Sequence, residues 1–240
     1  MAFQTVFALV LAFAGALLGR AALGRARLAR RVLDAPLVPI AELRGGVAGI
    51  RGRIDDRDDR LESPLTHRGC VYFRLEVKEQ RLRWRRTQRG FEPDSTWYPV
   101  VTDERYARCS VSDETGAIGI DLKQAEKRVR PSATLHIDAL HPPPLWLETF
   151  LEARYGYSLR GFFLPKSVRI SEQALFVGEE VFALGEAMGG PERRLVGGQA
   201  PLLVSDRDAR GLARDLRLEG AAFAAFAVLA VLLAGWIASR

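Results

Sequence analysis

Two uncharged apolar stretches bracket the chain, Ala2–Gly19 (AFQTVFALVLAFAGALLG) and Gly220–Ser239 (GAAFAAFAVLAVLLAGWIAS). Each is apolar on every helical face over close to the ~20 residues that cross a bilayer, whereas a surface helix needs only one apolar stripe. Segments 1–20 and 220–239 are therefore predicted to be transmembrane helices, the second with Trp236 as an interfacial anchor. No basic residue precedes the first run and arginines follow it, so it reads as a retained anchor and not a cleaved signal peptide. Between the spans the pattern is that of strands. In Cys70–Arg81, Val71, Phe73, Leu75 and Val77 alternate with Tyr72, Arg74, Glu76 and Lys78, the period of a half-buried strand. Gly45–Ile54 and Val168–Phe182 have strand character too, the latter interrupted at Glu179–Glu180. Arg105–Val111 and Ala117–Leu122 flank SDETG, whose Asp and Gly suit a hairpin turn. The three prolines after His141 break any element, Leu145–Tyr155 reads as a short helix, and Ser205–Leu218 places Ala209, Leu212 and Leu216 on one helical stripe. The prediction is a mainly β domain, barrel-like or sandwich, with short helices and two flanking transmembrane helices. Its divisions are a basic juxtamembrane linker over 21–42, the β domain over 43–206 and an amphipathic linker helix over 207–219.

Charge refines this picture. The 240 residues carry 35 basic and 29 acidic side chains, a net +6. Arg20, Arg25, Arg27, Arg30, Arg31 and Arg240 account for the whole excess, which leaves Val32–Glu219 neutral. A neutral domain speaks against a specific nucleic-acid partner, despite a pI near 9.7. Because five of these arginines lie on the domain side of the first span, the positive-inside rule puts the domain in the cytoplasm and both termini outside. Two cysteines in so long a chain make no disulfide framework. The 31 arginines against four lysines point to a GC-rich, bacterial genome, and so to the bacterial inner membrane.

The candidates for chemistry are few. His136, Asp138 and His141, with Cys109, match no standard ligand spacing, since zinc sites show tighter pairs. Ser63 lies in Ser-Pro-Leu and not in a strand–turn–helix elbow. Cys70 opens an apolar strand, where a thiol behaves as a small hydrophobe. Asp55, Asp56, Asp58 and Asp59 alternate with Arg57 and Arg60 as a self-neutralised turn, unlike a calcium loop. Gly189-Gly190 and Gly197-Gly198 are turn glycines with no phosphate-binding pattern around them. No catalytic residue, cofactor or metal is assigned. A candidate interaction surface remains: Tyr72 and Arg74 on the polar face of the long strand, then Arg81, Arg83, Arg85, Arg86 and Arg89 around Trp84. Arginine there would meet phosphate of lipid or nucleic acid while Trp84 stacks or inserts; a solvated strand end is the plainer alternative.

Several motifs occur in an order that resembles a known family. Leu61-Glu62-Ser63-Pro64-Leu65, followed by Gly69-Cys70-Val71-Tyr72-Phe73-Arg74, resembles the SPL…GxCVYYR signature of the GIDE domain, with glycine and cysteine adjacent here. Val111–Gly116 with Asp113 resembles its VxDxTG hairpin, and Glu172–Gly185 with Gly178 its ExxLxxGxxVxxxG stretch. Leu202–Ser205 resembles the short strand before the last helix. The chain is thus similar to GIDE, or beside-a-membrane (BAM), proteins of the Mulan-type E3 ubiquitin ligase family over roughly 43–219 and both spans. Ligase activity in that family lies in a zinc-braced RING finger, which needs about eight Cys/His ligands. Two cysteines and three histidines cannot supply it. What the resemblance implies here is a RING-less, prokaryotic-like member: a membrane-anchored, non-catalytic scaffold or partner-binding module. The alternatives are a ligase accessory and a surface binder of anionic lipid or nucleic acid through the Trp84 patch. The expected partners are the bilayer and an unidentified protein, with homo-oligomerisation open.

Overall fold

The computed structural model describes residues 2–55, 60–87, 90–138, 140, 143–161, 166–188 and 193–239. The two apolar ends form long helices, α1 (Ala2–Asp34) and α3 (Ala209–Ala238). The stretch read as a linker continues α1 without a break to Asp34, and Pro36 stops it because the residue before proline leaves helical backbone. Asp208 caps α3 by accepting the Gly211 N–H at 3.0 Å. The helices pack antiparallel: a Cβ on Gly220 would sit 3.3 Å from the Ala22 carbonyl, and one on Gly15 would sit 3.2 Å from the Ala227 carbonyl. Their large apolar side chains point outward, with Phe13 67%, Phe226 61% and Leu232 64% exposed. Both helices are long and apolar enough to cross a membrane.

Between them the chain is mainly β. Twelve strands are described: β1 (Gly46–Asp55), β2 (Leu61–Glu62), β3 (Gly69–Thr87), β4 (Gly90–Tyr106), β5 (Cys109–Asp113), β6 (Gly116–Ile120), β7 (Glu126–Arg128), β8 (Pro131–Ile137), β9 (Val168–Phe176), β10 (Glu180–Met188), β11 (Arg194–Val196) and β12 (Leu203–Ser205). Strands β1, β5, β6, β11 and β10 pair in that order, and β10 pairs back to β1, so five strands close into a barrel. The run β10-β1-β5-β6 is antiparallel throughout, the 4-1-2-3 order of a Greek key. β11 enters parallel to β6, and β12 and β7 extend the far side of β10. The other strands form a half-barrel, β2-β3-β9-β8 with β4 along β3. It consists of two excursions of the chain, one between β1 and β5 and one between β6 and β10. Helix α2 (Leu145–Tyr155) caps it and ends in left-handed Gly156.

Three apolar clusters explain this arrangement. Ile50, Ile54, Val111, Ile118, Ala183 and Leu195 fill the barrel. Leu75, Val77 and Ile170 of the half-barrel lie under Leu147 and Leu151 of α2. Strand β10 is buried on both faces: Val181 and Ala183 point into the barrel, while Phe182 and Leu184 receive Ala29, Val32, Leu212 and Leu216 of the two long helices. The domain therefore hangs directly from the base of the helix pair. Two glycines make the barrel's close approaches. A Cβ on Gly52 would lie 2.5 Å from the Ser112 carbonyl, and one on Gly185 would lie 2.9 Å from that of Val196.

Candidate functional site

The motif residues come together around one carboxylate. Glu172 on β9 is fully buried and accepts from the Leu65 N–H at 2.6 Å, the Thr66 hydroxyl at 3.2 Å and the Ser132 hydroxyl at 3.1 Å. Ser63 is also fully buried, its Oγ 2.6 Å from the Thr66 hydroxyl. Pro64 and Leu65 thus belong to a tight turn whose polar groups end on Glu172, and Gly69 and Cys70 begin β3 beside it. Burial pushes the Cys70 thiol up to about 12, with the Glu172 charge adding to the effect. Burial alone does the same to Cys109. Both shifts favour the protonated thiol near neutral pH, and among the described residues Ser63 bonds no imidazole.

The second motif closes the β5–β6 hairpin. Burial opposes ionisation of Asp113. The Thr115 hydroxyl and the N–H groups of Ile40, Thr115 and Gly116 outweigh that and hold its carboxyl below the usual range. The Ile40 bond, 2.8 Å across 73 residues, ties the segment after α1 to the barrel. The third motif holds the turn between β9 and β10, where Gly178 has φ +79° and the Glu179 N–H reaches the Phe176 carbonyl. Asp113, Gly116, Gly178 and Gly185 are thus all turn or packing positions.

The proposed interaction surface divides. Tyr72, expected on the solvent face, is only 2% exposed. Alternation fails there because β3 bulges between Cys70 and Tyr72, and Val71 and Tyr72 both join the barrel core. Its hydroxyl donates to Glu104 at 3.0 Å, and Lys127 reaches the Tyr106 hydroxyl at 3.2 Å. Burial and the Glu104 charge raise the Tyr72 phenol, and burial and the Glu104 hydrogen bond push Tyr106 up to about 12. Arg74, one step on, is exposed.

Beyond Glu79, β3 loses its β9 neighbour and pairs only with β4, from Gln80↔Trp97 out to Thr87↔Gly90. The arginine-rich stretch is this two-stranded ribbon. Arg81 bonds Glu79 at 3.1 Å and lies 5.4 Å over the Tyr98 ring, and Arg86 is exposed. The side chains of Arg83, Trp84 and Arg85 lie outside the described residues, as do Arg89, His141, Asp56–Asp59 and Gly189-Gly190.

At the root of the ribbon, sequence reasoning missed a strip of aromatic and cationic groups. Trp97 meets His136 edge-on at 5.8 Å, and the Arg169 guanidinium sits 4.9 Å over the Trp97 ring. The Trp97-Tyr98 pair was the available signal, but only strand pairing brings His136 and Arg169 to it. Among the described residues no cluster of His, Cys, Asp or Glu is arranged to hold a metal.

The helix–barrel junction is the remaining charged site. Arg25 of α1 pairs with Glu126 (3.1 Å) and Glu219 (3.3 Å), and Arg128 of β7 pairs with the same two carboxylates at 2.6 and 2.7 Å. The arrangement cross-braces α1, α3 and β7. Against known proteins, no family model, no curated protein and no solved structure matches this chain.

Proposed function

We propose that this chain is a membrane-anchored, non-catalytic partner-binding module of the GIDE, or beside-a-membrane, type. The observation that carries the reading is the junction: the Arg25–Glu126–Arg128–Glu219 brace and the apolar seat on β10 hold the barrel in one stance at the foot of two apolar helices. A domain carried this way presents its ribbon and outer strands to whatever approaches along the membrane. The non-catalytic part is supported by the state of the nucleophile candidates, a buried, hydroxyl-bonded Ser63 and two thiols raised by burial. The arginines after the first span favour the cytoplasmic face of a bacterial inner membrane. Proximity labelling from the full chain in its native membrane tests this. Neighbours enriched over a control carrying only the two helices support a partner-binding domain, and an identical set of neighbours overturns it.

A second reading, contact with anionic lipid through the ribbon, is favoured by its projection beyond β9 and by the cationic and aromatic groups at its root. Vesicle binding by the full chain that is lost in Arg81→Gln/Arg86→Gln and weakened by salt would support it.

A further inference from the structure

The uncharged part of α3 ends at Gly220, which meets Ala22 and Arg25 of α1, about a turn past the end of the uncharged part of α1 at Gly19. Beyond that level both helices continue toward the barrel, and a groove of about 570 Å³ opens between the end of α1 and one face of α3. Its apolar part is made by Leu33, Ala213, Leu218 and Ala221. Leu33 is 40% and Leu218 61% exposed, although neither lies in the uncharged runs. Its polar part is made by Arg210, Arg214 and Arg217. These are spaced i, i+4, i+7 and so form one stripe of the helix.

No carboxylate lines this groove. The acids of α3 are engaged elsewhere: Asp215 pairs with Arg207, and Glu219 with Arg25 and Arg128. Among the described residues none of the three groove arginines has an ion-pair partner. Three like charges within two turns repel one another. The groove is therefore complementary to a ligand that is anionic at one end and apolar at the other.

We propose that it binds one anionic phospholipid of the surrounding bilayer. The proposal rests on the reading of α1 and α3 as membrane spans. At a rise of 1.5 Å per residue, Arg217 lies about 5 Å past Gly220, inside a headgroup layer some 5–8 Å thick, and Arg214 about 9 Å past it, at the outer edge of that layer. Their guanidinium forks suit the phosphate, which accepts paired N–H donors. Arg210, about 15 Å past Gly220, lies outside that layer and adds only longer-range attraction. One acyl chain then lies along Leu218 and Ala221 and continues into the bilayer. A free phosphate or a nucleic acid would leave Leu218 in water; the acyl chain of a lipid covers it. Basic pockets at the base of paired spans are suited to such headgroups.

The test is native mass spectrometry of the detergent-extracted full chain, offered equal amounts of phosphatidylglycerol and phosphatidylcholine. The wild type should retain one phosphatidylglycerol, preferred about tenfold or more. Arg214→Gln/Arg217→Gln should bring the two lipids to parity. Arg27→Gln/Arg30→Gln, the same charge change on exposed positions outside the groove, should keep the preference. Equal retention by the wild type, or equal loss in both variants, overturns the site. Displacement of the lipid by inorganic phosphate alone would also overturn it, since the apolar wall would then contribute nothing. Alkaline carbonate extraction separates the two levels of failure. A chain released from the membrane overturns the span reading and this proposal together, whereas a chain that stays but shows no preference overturns the lipid site only.

Discussion

The buried carboxylate of Glu172 accepts the backbone N–H of Leu65 at 2.6 Å across 107 residues of chain. It joins two stretches that looked separate in sequence, Leu61–Leu65 and Glu172–Gly185. Motif residues that resemble a family signature are here an internal brace, and their chemistry is used in folding. A buried acceptor with three donors aimed at it is sensitive to the loss of its charge or its oxygens.

Glu172→Ala leaves the Leu65 N–H without its acceptor and takes one of two partners from the Thr66 and Ser132 hydroxyls, which keep Ser63 Oγ and the residue-172 carbonyl, at a cost of about 3 kcal/mol. Thermal melting of the detergent-solubilised chain should fall accordingly, with Glu172→Gln intermediate because it keeps one oxygen. A change no larger than that of Glu62→Gln, on the exposed surface, would contradict the brace.

Asp113 makes stability depend on acid. Its folded pKa lies below its unfolded value, so its contribution is complete above about pH 4 and disappears as pH falls through the lower folded value. In Asp113→Asn the wild-type advantage in melting temperature should be present at neutral pH and shrink on acidification. A gap that is constant with pH would show that the hydrogen bonds to Ile40, Thr115 and Gly116 do not depend on ionisation.

The junction brace is only partly screened from water, with side chains 21–40% exposed. Its pairs are discounted for that exposure, so Glu126→Gln should cost only about 1 kcal/mol. That cost should shrink at high salt, where the Debye length falls to about 3 Å at 1 M. Melting at low and high ionic strength checks it, and a cost independent of salt would assign the junction to apolar packing alone.

Orientation is open to a fusion test. With the arginines on the domain side, alkaline phosphatase fused after Arg240 should be active and a fluorescent protein fused there dark. The reverse pattern would put the domain on the exported side.

Much of the architecture was legible in the sequence. Uninterrupted apolar runs can only be satisfied by lipid or by a large core, which is why both long helices were evident. The alternation of Val71, Phe73, Leu75 and Val77, the SDETG hairpin and the limits of α2 are local properties that short stretches encode. Strands β4, β7 and β8 were not legible. β4 carries Pro93, Pro99 and several charges, and it exists because it lies along β3 as an edge strand, where proline is tolerated.

The tertiary structure alone decided which faces are covered and which distant groups meet. Alternation predicts two faces for a strand but not what packs on each. Tyr72 is buried because a bulge in β3 brings it, with Val71, into the barrel core, and β10 is buried twice because it serves both barrel and helices. The brace at Glu172, the cross-linked charges of Arg25 and Glu126, and the lone arginines of α3 all depend on chain closure over 90 residues or more, or on which acids other pairs have taken. Local periodicity reports on neighbours within a turn or a strand, and those contacts form only when the whole chain is packed.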